Sequence, residues 1–486
     1  MNPVILCRLR YFQYIEIFLS FASSPYKTER SFIMLLASWI ITFLLIIGFG
    51  IYAGTRITKS DQWNGSDRSM GIFSVGAMLG AWQIGGMSIV GAAQNGYTMG
   101  IAGCWYSIAG GVYFLLMAAL AKPMRKYMKA SSLPVFLENR YGSSVSKVQA
   151  YIWIIFGILY VPIQLKTVAS VIQMVLPGIS LNLAMFVGVT IAAAYTGFAG
   201  MKGSDIIGRI VCIATYVLLV GFVYQNLNDI GGYSGLLTHL PSSYNNLTAM
   251  PVQQIVAWAV GGALTTIVSQ AALQPMFAAR SDHDATWGCI LGYVIAAPIC
   301  ILTAIIGMMA KANTDALGDG ASAFAWSIAH LSQPIVAGII FAVITMIVAA
   351  TMATMMMATG TVISNVYSKQ INPQASDATV LKVSRWGTIA VAYISLAVGF
   401  LIPSAQMVNM FLTLNYLVYA PFSFTVIAGL FWDKVTAKAS LLSIFSGIII
   451  ALIWIFAGLN GKINVVYPTI AISYLVGYLA TKSCQH

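Results

Sequence analysis

Between residues 33 and 481 the chain is a succession of apolar runs, each about twenty residues long and parted by short polar connections. They cover approximately 33–54, 71–95, 101–121, 148–174, 181–200, 205–226, 254–278, 287–310, 334–366, 386–403, 408–431, 439–459 and 464–481. A helix needs about 20 predominantly apolar residues to cross the hydrocarbon core of a bilayer. The expected fold class is therefore an all-α membrane protein with about 13 transmembrane helices. Composition excludes a soluble protein: 59% of the residues are hydrophobic and 8% charged, where a soluble domain carries about 25% charge.

The formal net charge of +12 raises the question of a nucleic-acid partner, and the placement of the charge answers it. Of the 25 Lys and Arg, eighteen fall in connections on one side of the runs, from Arg56 to Lys482, and two, Lys311 and Lys462, on the other. Such asymmetry orients a membrane protein, with the basic loops inside. It places the 122–147 connection and the C-terminus in the cytoplasm and the N-terminus outside, in a multi-pass plasma-membrane protein that needs no nucleic acid and shows no obligate protein partner. Cys104, Cys212, Cys289 and Cys300 lie in or at the ends of apolar runs, Cys7 and Cys484 lie near the termini, and no Cys or His spacing suits a metal. Asp282-His283-Asp284 is expected to be a solvated turn.

Two runs are poorly made as plain helices. The run 71–95 carries Gly71, Gly76, Gly80, Gly85, Gly86 and Gly91 around Gln83 and Ser88; the run 254–278 carries Gly261, Gly262, Thr265, Thr266, Ser269, Gln270, Gln274 and Pro275. Backbone released by a broken helix is tolerated only against protein or a watery cavity. Interrupted helices at corresponding positions of two halves mark a transporter site near the bilayer midplane. Each broken run opens a set of five, and five is odd, so the second set is inverted relative to the first. The expected division is an N-terminal extension at 1–33, either a start-site artefact or an interfacial segment, then a leading helix and loop at 34–70. A first inverted repeat at 71–226, an external loop at 227–253, a second repeat at 254–431 and two C-terminal helices at 432–486 follow.

Four stretches resemble the sodium/solute symporter family. They are Gly80-Ala81-Trp82-Gln83-Ile84-Gly85-Gly86 with Gly91-Ala92-Ala93, Ser132 through Gly142, Leu273 through Ser281, and Gly429-Leu430-Phe431-Trp432. The resemblance spans about 34 to 450 and implies the fold of the leucine transporter, alternating access, and solute uptake driven by a sodium ion. Na⁺ is a hard cation that must exchange water for several oxygens, and unwound carbonyls with hydroxyls supply them. By resemblance the ligands include the carbonyls of Ala81 and Ile84 in the first broken run. From the run 334–366 the family supplies a carbonyl and two adjacent hydroxyls; on one register these fall on Ile347, Ala350 and Thr351, and counting back from Tyr367 instead puts the hydroxyl positions at Ala349 and Ala350. Alanine at 350 lacks a hydroxyl, which leaves proton-coupled or uncoupled transport as alternatives to sodium. Asp205, at the edge of a run, matches an acid associated with cation handling on the inner side; otherwise it is an interfacial acid at a helix N-terminus.

For the solute, Gln83 and Ser88 are the first candidates, because a polar side chain at mid-membrane is costly unless paired or functional. Each stands against a structural hydrogen bond between helices. Thr266, Ser269 and Gln270 are the candidates from the second broken run. Lys166 is the one charge deep inside a run: it holds an anionic solute or snorkels to the outer surface. The expected function is secondary active symport of a small-molecule solute across the lipid bilayer, without chemistry on the solute. A transporter-like membrane sensor is the other reading.

Overall fold

The structure is a computed structural model that describes residues 29–54, 59–64, 67–127, 132–176, 178–401, 407–459 and 462–483. Residues 1–28, with Cys7, and Cys484 lie outside them, as does most of the expected 1–33 extension. The described chain is helical, and its one β-bridge joins Met70 to Ala279. The main helices are α1 Glu29–Gly54, α2 Ile72–Gln83, α3 Ala92–Met99, α4 Tyr113–Tyr127, α5 Leu133–Tyr141, α6 Ser143–Val175 and α7 Leu181–Asn228. They continue with α8 Val252–Thr266, α9 Gln270–Phe277, α10 Asp282–Ala296, α11 Ile299–Asn313 and α12 Pro334–Val366. The last four are α13 Asp377–Leu401, α14 Met407–Phe431, α15 Ala437–Phe456 and α16 Val466–Ser483.

Among the described residues, nine helices are long and apolar enough to cross a membrane, and three shorter apolar ones lie at Ile72–Gln83, Leu181–Ala194 and Val252–Leu264. Burial sorts them into inner and outer layers. The spanning part of α12 is 83% buried and that of α6 67%, against 22% for α1 and 33% for α15. The outer helices expose Ile41, Leu44, Leu45, Phe49, Ile449 and Phe456, side chains at home in lipid.

Both expected breaks are present. α2 ends at Gln83, a π-helical turn covers Met87–Gly91, and α3 continues to Met99; α8 ends at Thr266 and α9 begins at Gln270. The expected single runs 101–121 and 287–310 are also interrupted, the first at Gly111-Val112 and the second at Ala297-Pro298. Proline lacks the amide that would continue the hydrogen-bond ladder. α7 is two helices meeting at Gly200, whose φ of 52° and ψ of −153° suit glycine alone among common residues.

The stretch Ser132–Gly142, expected within a connection, forms α5, and Asp282-His283-Asp284 is the first turn of α10 rather than a free turn. Ser281 caps that turn by accepting the Asp284 amide at 3.0 Å. Carboxylates suit the positive end of a helix, which is why an acidic triplet reads as loop yet folds as helix.

The two broken helices are tied together at one end. Met70, just before α2, takes the Ala278 carbonyl at 3.0 Å and gives its own carbonyl to the Arg280 amide at 2.9 Å. Arg125, with its side chain 4% exposed, bonds Asp282 at 2.8 Å. Its guanidinium also donates to the Met276 and Phe277 carbonyls at 2.9 and 3.1 Å, closing the C-terminal end of α9. Elsewhere α3 and α11 meet backbone to backbone: a methyl on Gly96 would collide with Ala304, and one on Gly307 with the Ala93 carbonyl.

Candidate functional site: a cavity between the two broken helices

The first break turns on Ile84. Its φ of −78° and ψ of 66°, with the Gly85 amide on the Gln83 carbonyl at 2.8 Å, make an inverse γ-turn. In an unbroken helix the Gly85 amide would serve Ala81 and the Ser88 amide would serve Ile84. Here the Ser88 amide bonds Gly85 at 3.1 Å instead, so the turn diverts the donors of the Ala81 and Ile84 carbonyls. The Thr351 hydroxyl, from α12, reaches Ala81 O at 3.1 Å and Ile347 O at 3.2 Å. Two of the expected sodium-site carbonyls thus lie within hydrogen-bond distance of a third expected oxygen, the Thr351 hydroxyl. Ala350 brings none: its carbonyl accepts from Thr354 at 2.8 Å one turn along the helix. Ile84 is buried at the turn.

Gln164, which sequence reasoning missed, approaches the same place. A Cβ on Gly85 would lie 3.2 Å from Thr351 Oγ1 and 3.6 Å from Gln164 Oε1, so both oxygens converge on the unwound glycine. The Gln164 amide nitrogen donates to Tyr160 Oη at 3.2 Å, which turns its carbonyl oxygen away from that ring.

Beside this cluster is a cavity of about 100 Å³. An ordered water needs roughly 10–15 Å³ of such space, so the cavity holds several waters or a small solute. Trp82, Gln83, Gly85 and Thr266 line it from the two breaks and Thr351 from α12. Its other walls are mostly aromatic or amide side chains, Tyr106, Tyr113, Tyr160, Gln164, Trp258, Asn415, Tyr416 and Tyr419, with Met87, Gly110 and Gly262 completing them. Among the described residues, none that lines it is charged. Gln83 accepts from the Tyr113 hydroxyl at 2.9 Å through its carbonyl oxygen, which leaves its NH₂ as a donor for a ligand. Trp82 stands edge-on to Tyr113 at 5.8 Å, and Tyr106 edge-on to Trp258 at 5.6 Å.

Of the residues expected at the solute, Gln83 and Thr266 reach the cavity and the others do not. Ser88 is fully buried, donating to the Gln83 carbonyl at 2.7 Å and taking a hydrogen bond from Ser107 at 3.2 Å. Thr303 of α11 donates to its carbonyl at 2.9 Å. Its cost at mid-membrane is met by neighbouring helices. Gln270 gives its carbonyl oxygen to the Leu133 amide at 2.8 Å, capping α5, and Ser269 is the N-cap of α9. Lys166 is buried within α6 but off the cavity lining. Asp205 is also elsewhere, paired with Arg209 at 2.9 Å and faced by Ser74 from α2.

The aromatic walls escaped the sequence reading because they come from the short helix Trp105–Gly110, α4, α6, α8 and α14, which only packing brings together. Tyrosine and tryptophan in apolar runs carry no local mark of a site.

Comparison with known proteins fits this architecture. The family model described as "Sodium:solute symporter family" matches residues 65–474. A sodium/glucose cotransporter of Vibrio parahaemolyticus is 23% identical over 463 residues, covering 86% of this chain and 84% of that protein. A high-affinity proline transporter of Bacillus subtilis is 21% identical over 454 residues, covering 89% of this chain and 94% of that one. Among solved structures, a Na⁺-coupled sialic acid symporter in a substrate-bound outward-open state superposes with a TM-score of 0.79, at 15% identity, over 93% of this chain and 97% of that one. With the family model matching most of its length and the two broken helices facing one cavity, the chain belongs to the sodium:solute symporter family.

Proposed function

We propose that the chain carries a small, uncharged or zwitterionic polar solute together with sodium, and that the solute occupies the cavity lined by Trp82, Gln83, Thr266 and the tyrosines. The observation that carries this reading is the lining itself: chiefly amides, hydroxyls and aromatic faces, with no cation to hold a net anion and no carboxylate to hold a net cation among the described residues. Solutes of the kinds named for the glucose and proline transporters fit such walls; a net anion such as the sialic acid of the third relative lacks a charged partner here. In this reading Lys166 and Ser88 hold the fold and do not touch the solute.

Sodium sits beside the solute, held by the carbonyls of Ala81, Ile84 and Ile347 and the hydroxyl of Thr351, with Gln164 Oε1 supplying the oxygen that Ala350 lacks. Support comes from the diverted donors at Ala81 and Ile84 and from the convergence on Gly85. Asp205 serves sodium release on the inner side: its Oδ1 is buried without a hydrogen-bond partner among the described residues. Slower uptake by Asp205→Asn at saturating sodium is the expected result, and unchanged uptake would refute that role.

The repeats at 71–226 and 254–431 rock about the cavity, with the N-terminus outside and the C-terminus in the cytoplasm, as the placement of Lys and Arg supports. Thermal stabilisation of the purified protein by a panel of neutral, zwitterionic, anionic and cationic solutes, with and without sodium, tests the solute class. Stabilisation by neutral or zwitterionic members, larger with sodium, is expected. A response confined to anions would overturn it.

A further inference from the structure

Behind the first break, off the cavity lining, four polar side chains from three segments meet. Ser88 belongs to the π-helical turn Met87–Gly91, Ser107 to the short helix Trp105–Gly110, and Cys300 and Thr303 to α11. All four are fully buried, and none lines the cavity. The Cys300 thiol donates to Ser107 Oγ at 2.9 Å, Ser107 to Ser88 Oγ at 3.2 Å, and Ser88 to the Gln83 carbonyl at 2.7 Å. A carbonyl only accepts, so the end of this chain fixes its direction. Ser88 gives its one hydrogen to Gln83 and must accept from Ser107, which in turn accepts from Cys300. Thr303 stands outside the chain: its hydroxyl donates to the Ser88 carbonyl at 2.9 Å, an oxygen that also lies 3.4 Å from Cys300 Sγ.

The bond from Ser88 to Gln83 reaches back five residues. A serine inside a regular helix folds its hydroxyl onto the carbonyl three or four residues earlier, so this contact exists only while the turn at Ile84 is unwound. The Gln83 carbonyl also takes the Gly85 amide at 2.8 Å, and two donors fill both of its lone pairs. Rewinding would return the Gly85 amide to Ala81 O, giving that carbonyl an amide partner in place of an ion. Without an ion, the unwound form leaves Ala81 and Ile84 short of amide donors, and the wound form competes with it. Apparent affinity falls with the fraction of molecules competent to bind. A group that holds the turn open therefore raises the affinity for sodium without touching it.

We propose that Ser88 and Ser107 are positioning residues for the sodium site. With Cys300 behind them they hold the turn at Ile84 unwound, so that the carbonyls of Ala81 and Ile84 are set before the ion arrives. Ser107 and Cys300 act through the Ser88 hydroxyl, from outside the ion's own ligands. The inference rests on the placing of sodium at Ala81, Ile84, Ile347 and Thr351.

Sodium itself is the probe. The Tm of the purified full chain, followed against sodium concentration with choline keeping the ionic strength constant, gives an apparent Kd for sodium without any solute. In Ser88→Ala and in Ser107→Ala this Kd should rise about three- to tenfold, the effect of one neutral hydrogen bond. The double variant should be no worse than Ser88→Ala alone, because Ser107 acts through Ser88. Thr303→Val is the control for buried packing: it takes a hydrogen bond from the Ser88 carbonyl and lowers the Tm without sodium, but its sodium Kd should stay within about twofold of the parent. If Ser88→Ala folds poorly, the comparison of Ser107→Ala with Thr303→Val decides. An unchanged sodium Kd in either serine variant, additive effects in the double variant, or an equal shift in Thr303→Val would each overturn the positioning role. Thr351→Val separates this role from the site it serves. A shifted Kd there with none in the serine variants removes the positioning role and leaves the sodium site, whereas no sodium response in the unaltered protein, or no shift in Thr351→Val, removes both.

Discussion

Replacing Thr351 by valine keeps the side chain's shape and removes one oxygen, at the point where α12 meets the first break. In the structure that oxygen is 3.1 Å from Ala81 O and 3.2 Å from Ile347 O, and the residue is 2% exposed. A hydrogen-bonding group facing a charge contributes about 1.5–3 kcal/mol, and each 1.4 kcal/mol is tenfold in a binding constant. The sodium concentration for half-maximal uptake should therefore rise about 10- to 100-fold in Thr351→Val. Loss of the donor to Ala81 O also costs about 1–3 kcal/mol of stability, so the variant must be shown to be folded. Thr351→Ser supplies the control: it gives up one methyl, about 0.8 kcal/mol, but keeps the oxygen, and its sodium dependence should stay within about threefold of the parent. The assay is the initial rate of uptake against sodium concentration at saturating solute. Wild-type sodium dependence in Thr351→Val, or equal defects in the serine and valine variants, would refute the placing of sodium at this hydroxyl.

Other substitutions probe the cavity and the scaffold separately. Gln83→Leu and Tyr113→Phe should each raise the KM for solute about three- to tenfold, as loss of one neutral hydrogen bond does; because they share a bond, the double variant should be little worse than either single one, and strict additivity would separate their roles. Gly307→Ala places a methyl against the Ala93 carbonyl, where backbone cannot yield as a side chain can; overpacking costs typically 1–3 kcal/mol and more where nothing moves, and a normal yield of monodisperse protein would contradict the backbone contact. Arg125→Lys keeps the charge but not the fork that serves Asp282, Met276 O and Phe277 O together. It should lower the Tm of the purified protein; an unchanged Tm would show that the end of α9 does not depend on this clamp.

How far the site was legible in the sequence differs from residue to residue. The breaks were legible because glycines at 85 and 86 and the polar Thr266, Ser269 and Gln270 are costly in a lipid-facing helix, and the resemblance pointed to Ala81 and Thr351 at the first break. Ser88 and Gln270 bear the same mark of a polar group at mid-membrane. In the fold their hydrogen bonds go to Gln83, Ser107 and the Leu133 amide. A polar residue announces that it needs a partner, not whether that partner is solute or helix. Asn415, Tyr416 and Tyr419 carried no signal, since their role depends on how α14 lies against α6 and α8. Gln164 escaped for a related reason: its oxygen matters only beside Gly85, and α6 brings it there from outside both broken helices.

In the proposed function, sodium moving down its gradient drives a small polar solute through the cavity between the two breaks. Uptake of radiolabelled neutral and zwitterionic solutes into proteoliposomes, under an inward sodium gradient with the proton gradient clamped, tests it most directly. Accumulation above the outside concentration, abolished when potassium replaces sodium and restored by reimposing the sodium gradient, is the predicted result. Accumulation that persists without sodium and collapses only when a proton gradient is removed would contradict it.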